Sequence, residues 1–192
     1  QDGCGCRAEI GDDRHQRAAQ GMRADHASEW QSVGARRANV IGTKRRPTRI
    51  PNVAEVLAPG QTDEVLAQSD FVLLLLPATP DTENFIDARR LAKMKPSAWL
   101  LNFCRGQIIN DTDLMAATKE KRIAGALLDV FRQEPLPSDH PFWKAPGIIV
   151  MPHIGGPHPQ RDRFVARLFV ENLKRFLDGE PLKEVVDRAA GY

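Results

Sequence analysis

Short, uninterrupted apolar runs recur along the chain from Val40 onward, and each is followed by a polar or helix-forming stretch. Such runs are typical of parallel strands that are covered on both faces. Their alternation with helical stretches predicts βαβ units, and therefore an α/β fold with an open parallel sheet and right-handed crossovers. The strand candidates are VIG at 40–42, FVLLLL at 71–76, WLLNF at 99–103, IAGALLDVF at 123–131 and IIVM at 148–151, with VAEVLA at 53–58 as a weaker one.

Helix candidates lie between these strands, at TDEVLAQS (62–69), ARRLAKM (88–94) and DTDLMAATKEK (111–121). Asp111 is the predicted N-cap of the third helix, because its carboxylate can accept hydrogen bonds from first-turn N–H groups. A longer last helix is predicted over about 160–177, and Gly179 stands just past its end, where glycine commonly terminates a helix. Much of its apolar stripe is formed by Phe164, Leu168, Val170, Leu173 and Leu177.

The first 39 residues differ in character from the rest of the chain. Their only large apolar side chains are Ile10, Met22, Trp30 and Val33, which fit neither a helical nor a strand period. Such a segment buries too little apolar surface to offset the conformational entropy that it loses on folding. We therefore expect residues 1–39 to be mostly disordered or weakly helical.

Charge and cysteine content narrow the functions to consider. The net charge is +2, and the basic excess lies in residues 1–50, where ten Lys and Arg face six Asp and Glu, a poor electrostatic stripe for nucleic acid. Three cysteines, with no apolar signal-peptide core before them, predict a reduced, cytoplasmic compartment. The longest apolar run, residues 71–76, is far shorter than the roughly 20 residues that cross a bilayer, so no membrane partner is predicted.

Ionisable side chains follow three of the predicted strands. Arg105 comes after WLLNF, Asp129 and Glu134 come after IAGALL, and His153 comes after IIVM. Because ligands bind beyond the carboxyl ends of strands in an open parallel sheet, these residues have the composition of an acid/base site. Each also has a structural explanation, since His153 could be a hydrogen-bonded loop residue, Asp129 a turn cap, and Arg105 its surface partner.

The segments LPATPDT, LLNFCRGQIIND, ALLDVFRQEPLP and MPHIGG closely resemble the signature segments of the D-isomer-specific 2-hydroxyacid dehydrogenases, especially the glyoxylate/hydroxypyruvate reductase-like branch. The resemblance covers about residues 40–187, in the family's order and spacing. It implies a Rossmann-like open parallel sheet, incomplete at its N-terminal edge, whose C-terminal helix would return to a largely missing substrate domain. The expected organisation is a poorly ordered segment 1–39, a partial NAD(P)-binding domain 40–158, and the helix and tail of the substrate domain at 159–192.

The resemblance also implies a role for each ionisable residue. Arg105 binds the carboxylate and carbonyl of a small 2-oxo acid, Glu134 partners the histidine, and His153 is the acid/base. A positioned imidazolium can protonate the carbonyl oxygen as hydride arrives at its carbon, and a neighbouring carboxylate favours the charged imidazole. A planar guanidinium can hold a 2-oxo acid through two parallel hydrogen bonds, which lysine cannot imitate. The expected cofactor-binding positions are Thr43, Lys44, Arg45, Arg46, Pro77, Thr82, Cys104, Asp129, Gly155 and Gly156, with Asp129 at the position that holds the nicotinamide carboxamide.

The basic residues after VIGT favour NADP over NAD. An acidic residue after the second strand of a dinucleotide fold commonly binds the adenosine ribose, whereas a basic one accommodates the extra phosphate of NADP. Here Lys44, Arg45 and Arg46 occupy that place, with Arg45 the preferred phosphate ligand. The alternative is a solvated basic turn. Gly155 and Gly156 could likewise be turn residues rather than cofactor contacts, and we assign Cys104 to packing rather than to a reactive thiol.

The glycine-rich phosphate loop is not recognisable. In the family spacing it would lie about twenty residues before Thr43, where only the first glycine, Gly21, is present and Arg23 and His26 stand at the other two positions. An earlier match, GCGCRA at 3–8, follows no predicted strand and lies too far upstream. No metal site is predicted, because the spacing of Cys4, Cys6, His15 and His26 fits no usual zinc finger. We expect a truncated chain whose first 39 residues replace the family sequence.

Three functions remain open at this stage. The first is a reductase of small 2-oxo acids that uses NADP or NAD, either active or descended from active ancestors. The second is a non-catalytic nucleotide-binding or protein-interaction module of the same fold, as in corepressors, or an inactive fragment. A basic N-terminal arm that contacts nucleic acid ranks last. A homodimer, which the family usually forms, would be weakened by the truncation, and the last helix would expose apolar surface.

Overall fold

The computed structural model describes residues 6–11, 39–51, 53–156 and 159–188, and the strands in these ranges form a single parallel sheet. In chain order the elements are β1 (Cys6–Gly11), β2 (Asn39–Thr43), β3 (Glu55–Leu57), α1 (Thr62–Gln68), β4 (Phe71–Leu75), α2 (Ala88–Leu91), β5 (Trp99–Asn102), α3 (Asp111–Lys119), β6 (Gly125–Leu128), β7 (Ile148–Val150) and α4 (Arg161–Leu177). Short 3₁₀ turns lie at Pro59–Gln61, Pro80–Thr82, Gly106–Ile108 and Pro141–Trp143.

The strand order across the sheet is β3-β2-β1-β4-β5-β6-β7, with every pair parallel. The chain therefore builds outward from β1 to β3, crosses back beside β1 at β4, and continues outward to β7. This reversal between β1 and β4 is the topological switch point at which open α/β sheets bind ligands. The predicted open parallel sheet of βαβ units is confirmed.

The register places the last residues of the central strands level with one another. Leu74 of β4 pairs with Asn102 of β5, and Asn102 pairs with Leu128 of β6. Because the strands are parallel, the loops after β4, β5 and β6 all leave the same edge of the sheet. The loops that carry Thr82, Arg105 and Glu134 are thus neighbours.

The core lies against the middle of the sheet. Leu74, Leu100 and Ile86 have no solvent exposure, and they pack with Leu114 of α3 and Phe142 in one cluster. In β4, Val72 and Leu74 are fully buried whereas Leu73 and Leu75 are partly buried, so one face of this strand is covered more completely than the other. Apolar side chains at these positions are held by burial rather than by strand propensity.

One strand was not predicted from the sequence, and one predicted helix cap is wrong. Cys6–Gly11 forms β1, between β2 and β4, although residues 1–39 showed no strand pattern. A central strand is held by backbone hydrogen bonds from both neighbours, which do not require an apolar period of its own. Asn110, not Asp111, is the N-cap of α3, because its side-chain oxygen accepts from the Asp113 N–H at 3.2 Å. Asp111 is the first residue of the helix.

The chain divides into two compact units, residues 1–152 and 153–192. The three segments expected from the sequence, 1–39, 40–158 and 159–192, stay a prediction. In the second unit, α4 ends before Gly179, which has the positive φ of 70° expected of a helix-terminating glycine. The tail folds back on α4, because the Asn172 side chain exchanges two hydrogen bonds with the Lys183 backbone, at 2.8 and 3.0 Å.

The predicted apolar stripe of α4 is only partly covered. Phe164 and Leu168 are half-buried, whereas Val170, Leu173 and Leu177 are exposed.

Among the described residues, none of the helices has the length and apolar character needed to span a membrane.

Leu74→Ala should lower the free energy of unfolding by about 2–5 kcal/mol, because it removes a fully buried side chain and leaves a cavity in the centre of the sheet. Urea denaturation measures the loss. The matched control is Leu182→Ala, where the side chain is 45% exposed and the change should stay within about 0.5 kcal/mol. Equal losses at the two positions would contradict the assigned core.

Candidate active site

The buried amide of Asn102 organises the loop that holds Arg105. Its Oδ1 accepts hydrogen bonds from the Cys104 N–H at 3.1 Å and the Cys104 thiol at 3.0 Å, and its Nδ2 donates to the Arg105 carbonyl at 3.0 Å. Its own carbonyl accepts from the Asp129 N–H at 3.0 Å. The Asn102 side chain therefore sets the turn after β5, and the Asn102 backbone ties it to the end of β6. Sequence reasoning missed Asn102, although an amide at the end of the apolar run WLLNF was a usable signal.

Arg105 itself lies in extended backbone at the start of the Gly106–Ile108 turn. Its side chain is exposed, and Nη1 donates to the Cys104 carbonyl at 2.6 Å. This contact uses one of the five guanidinium donors, so Arg105 can still offer a donor pair to a carboxylate.

Gly106 brings the Arg105 turn against the loop that follows β6. A Cβ atom on Gly106 would lie 2.0 Å from the Phe131 carbonyl carbon and 2.3 Å from the Arg132 nitrogen. Backbone therefore packs on backbone here, and no side chain fits between them. The loop after β5 and the loop after β6 are in direct contact at this point, and sequence reasoning did not single out Gly106.

The loop from Phe131 to Glu134 is closed by the Glu134 carboxylate, whose Oε1 accepts from the Phe131 N–H at 2.9 Å. Phe131 anchors the start of this loop, since it is buried and its ring centroid lies 6.4 Å from that of Phe142. Glu134 is exposed, while Asp129, directly after β6, is 2% exposed. The two predicted carboxylates thus differ in environment, one at the surface and one in the interior.

The loop after β4 is closed by Thr82. Its hydroxyl donates to the Pro77 carbonyl at 2.6 Å and accepts from the Thr79 N–H at 2.8 Å. Both predicted cofactor positions in this loop, Pro77 and Thr82, therefore belong to one hydrogen-bonded turn, which shapes the edge of the sheet beside β5.

The predicted NADP-selecting residues lie directly after β2. Thr43, the last residue of β2, is buried, and the Lys44 N–H donates to the Leu57 carbonyl at 3.0 Å. The Lys44 ammonium donates to the Thr48 hydroxyl at 3.0 Å, while Arg45 and Arg46 are exposed. The basic side chains thus stand at the same edge of the sheet as the loops after β4, β5 and β6, and they can take an anionic group there.

Burial raises the pKa of the Cys104 thiol above its usual value. Hydrogen bonds from the Arg105 and Leu76 backbone and the charge of Arg105 oppose that rise without cancelling it. The thiol therefore stays protonated near neutral pH, in keeping with a packing residue between the ends of β4 and β5 rather than a nucleophile.

His153, Gly155 and Gly156 belong to the second compact unit. His153 is exposed and has a positive φ of 53°, an uncommon conformation for a residue other than glycine. A Cβ atom on Gly156 would meet nothing within 4 Å, so this glycine is not required by local packing. The approach of His153 to Arg105 and Glu134 stays a prediction.

The remaining sequence candidates lie largely outside the described residues, among them Gly21, Arg23 and His26 of the expected phosphate loop. Residues 6–8 of the match GCGCRA belong to β1 itself, whereas a phosphate loop comes after a strand. Within the ranges that the structure describes, no three His, Cys, Asp or Glu side chains come together in a way that could hold a metal ion.

A doubly wound parallel sheet with an arginine and two carboxylates at the loops leaving its carboxyl edge defines a nucleotide-binding domain of the dehydrogenase class. The family model for the NAD binding domain of the D-isomer specific 2-hydroxyacid dehydrogenases matches residues 29–155. The chain belongs to this family. The match covers every predicted site residue except Gly156.

Curated relatives carry reductase names. The chain is 42% identical over 125 residues to glyoxylate/hydroxypyruvate reductase B of Enterobacter agglomerans. This alignment covers 65% of this chain and 39% of the relative. It is 36% identical over 151 residues to glyoxylate/hydroxypyruvate reductase A of Photorhabdus laumondii. That alignment covers 77% of this chain and 47% of the relative. The chain thus spans less than half the length of these relatives.

Solved structures have the same fold. A D-isomer specific 2-hydroxyacid dehydrogenase from Xanthobacter autotrophicus, in complex with NADPH and MES, superposes with a TM-score of 0.80 at 31% identity, over 98% of this chain and 73% of that one. An NADPH-dependent glyoxylate/hydroxypyruvate reductase from Sinorhizobium meliloti, in complex with NADP and sulfate, superposes with a TM-score of 0.79 at 30% identity. The superposition covers 98% of this chain and 57% of that one.

Gly106→Ala should destabilise the protein by at least about 1–3 kcal/mol, because the new methyl group collides with the Phe131–Arg132 backbone and forces the two loops apart. Thermal or urea unfolding measures this loss. The control is Gly60→Ala, where a Cβ meets nothing within 4 Å and the substitution should be neutral or slightly stabilising. Two unchanged unfolding curves would show that the loops do not touch at Gly106.

Proposed function

We propose that this chain carries the cofactor-binding part, and the acid/base residues, of an NADPH-dependent reductase of small 2-oxo acids. The observation that supports this most directly is the backbone contact at Gly106, which joins the Arg105 turn to the Glu134 loop. A guanidinium and a carboxylate from separate segments thereby stand on neighbouring loops at one edge of the sheet. The family membership and the reductase names of the relatives agree with this assignment.

One of the proposed residues binds the substrate, and the other two carry out proton transfer. Arg105 binds the carboxylate and carbonyl oxygens of the 2-oxo acid through parallel N–H donors and stabilises the negative charge that grows on the carbonyl oxygen. His153 donates a proton to that oxygen, so that the ketone becomes a hydroxyl group. Glu134 accepts a hydrogen bond from the imidazolium and orients it. Bound NADPH would supply hydride to the carbonyl carbon.

The chain's own residues can bind two parts of a dinucleotide at the carboxyl edge of the sheet. Asp129 is buried directly after β6 and can accept from the carboxamide nitrogen of a nicotinamide. The exposed Arg45 and Arg46, together with Lys44, supply positive charge after β2, where the adenosine phosphate of NADP would lie. Relatives solved with NADPH or NADP are consistent with this preference. The cytoplasmic location expected from the cysteines belongs to the same proposal.

Purified protein given NADPH and either glyoxylate or hydroxypyruvate should oxidise the cofactor, followed by absorbance at the nicotinamide band. Arg105→Lys should lower kcat/KM by roughly 10–100-fold, mainly through KM, because an ammonium cannot hold a 2-oxo acid bidentately. The matched control is Arg122→Lys, at an exposed arginine paired with Glu120 at 2.8 Å, which should leave the kinetics unchanged.

His153→Ala separates this proposal from the non-catalytic module. It should reduce kcat by about 10²–10⁴-fold while NADPH binding, followed by nicotinamide fluorescence, is retained. NADPH binding by the unsubstituted protein without turnover of either 2-oxo acid would favour a nucleotide-binding module. Absence of nucleotide binding would indicate an inactive fragment.

Arg45→Ala should weaken NADPH binding roughly tenfold or more and leave NADH binding unchanged, because one charge-assisted hydrogen bond to the adenosine phosphate is lost. Titration with both nucleotides, by calorimetry or fluorescence, measures the two affinities. Arg49→Ala removes another exposed arginine from the same segment and serves as the control. Equal affinities of the unsubstituted protein for NADPH and NADH would eliminate the NADP preference.

A further inference from the structure

The Arg132 guanidinium contacts two segments besides its own. Nη2 donates to the Ile109 carbonyl at 2.7 Å and the Gln107 carbonyl at 3.3 Å, and it also donates to the Asn84 side-chain oxygen. Its backbone lies on Gly106, in the contact described above. Arg132 therefore links the loop after β6 to the turn after β5 and to the segment after β4.

Two carboxylates complete the surroundings of this guanidinium. Asp111, at the start of α3, lies 3.7 Å from Nε, and Glu83 lies 3.7 Å from Nη1. Burial raises the pKa of Asp111, and the charges of Arg132 and His140 oppose that rise. The Arg132 side chain is 32% exposed, so its hydrogen bonds to backbone carbonyls contribute more than these longer ion pairs.

The segment after β4 and the turn after β5 are joined to each other without Arg132. The Asn84 N–H donates to the Gln107 carbonyl at 2.9 Å, and Ile86 exchanges backbone hydrogen bonds with Ile108 and Asn110, also at 2.9 Å. The loop from Phe131 to Glu134 is in van der Waals contact with the Gly106 turn. Across this contact, the Arg132 guanidinium donates charge-assisted hydrogen bonds to the Gln107 and Ile109 carbonyls. Loss of Arg132 should therefore loosen the Glu134 loop while the fold and the Arg105 turn remain.

We propose that Arg132 is a positioning residue, which holds the loop carrying Glu134 at the distance from the Arg105 turn that the reaction requires. This inference rests on the proposed function, because it assigns Glu134 a part in proton transfer. Arg132 acts on catalysis only through Glu134 and makes no contact with substrate. A lysine cannot replace it, since a single ammonium can stand in for Nη2 but not also for Nε near Asp111 and Nη1 near Glu83.

Hydrogen exchange tests the structural half of this proposal independently of any activity. In Arg132→Ala the Phe131 amide, which donates to Glu134 Oε1, should exchange at least about tenfold faster, whereas amides of β4 and β5 should keep their protection. Arg132→Lys should give most of the same increase. Arg122→Ala, which removes an exposed arginine elsewhere, should change none of these rates. Unchanged exchange at Phe131 in Arg132→Ala would overturn the proposal.

A double-substitution cycle tests the catalytic half. Arg132→Ala should lower kcat at least about tenfold while KM for the 2-oxo acid changes less than about twofold, because Arg105 is unaffected. In a Glu134→Gln background the same substitution should lower kcat less than about twofold further, because its effect passes through Glu134. Additive losses in the cycle would show a general structural role and overturn the proposal.

The two failures can be distinguished. If the unsubstituted protein turns over no 2-oxo acid, the proposed function fails, and the exchange rate at Phe131 still decides whether Arg132 holds the Glu134 loop. If turnover is present but Arg132→Ala leaves both kcat and exchange unchanged, the positioning role fails and the reductase assignment stands.

Discussion

Parallel pairing of β4, β5 and β6 is the constraint on which the rest of the site depends. Since Leu74, Asn102 and Leu128 are level in the sheet, the three loops that follow them leave the same edge. Segments separated by dozens of residues in sequence thereby become neighbours. The loop after β5 carries Arg105 and the loop after β6 carries Glu134, so neither could form the proposed site alone.

Apart from Glu134, whose carboxylate closes its own loop, the residues that hold these loops differ from the residues proposed to react. Asn102 shapes the turn before Arg105, Thr82 closes the loop after β4, and Gly106 allows two backbones to touch. These contacts satisfy backbone groups at the sheet edge and leave the side chains of Arg105 and Glu134 exposed toward solvent. Rigid support beneath exposed ionisable groups is what precise positioning of a small substrate requires.

Strands whose side chains are buried in the core could be predicted from the sequence. The runs FVLLLL and WLLNF identified β4 and β5 because both strands lie in the core, where apolar side chains are obligatory. β1 escaped detection because its place in the sheet is held by backbone pairing with β2 and β4 rather than by a pattern of its own. The cap at Asn110 was missed by one position, since neighbouring Asn and Asp can both accept from a helix N-terminus.

By itself the sequence determined the α/β class, the order of most strands and helices, and the family, because periodic burial and short motifs are local properties. Only the tertiary structure decided which of these segments touch. The contact of Gly106 with Phe131, the bonds that Asn102 makes and the reach of Arg132 across two loops all join residues through space. Such contacts arise from the packing of loops after the strands, which no local pattern in the chain encodes.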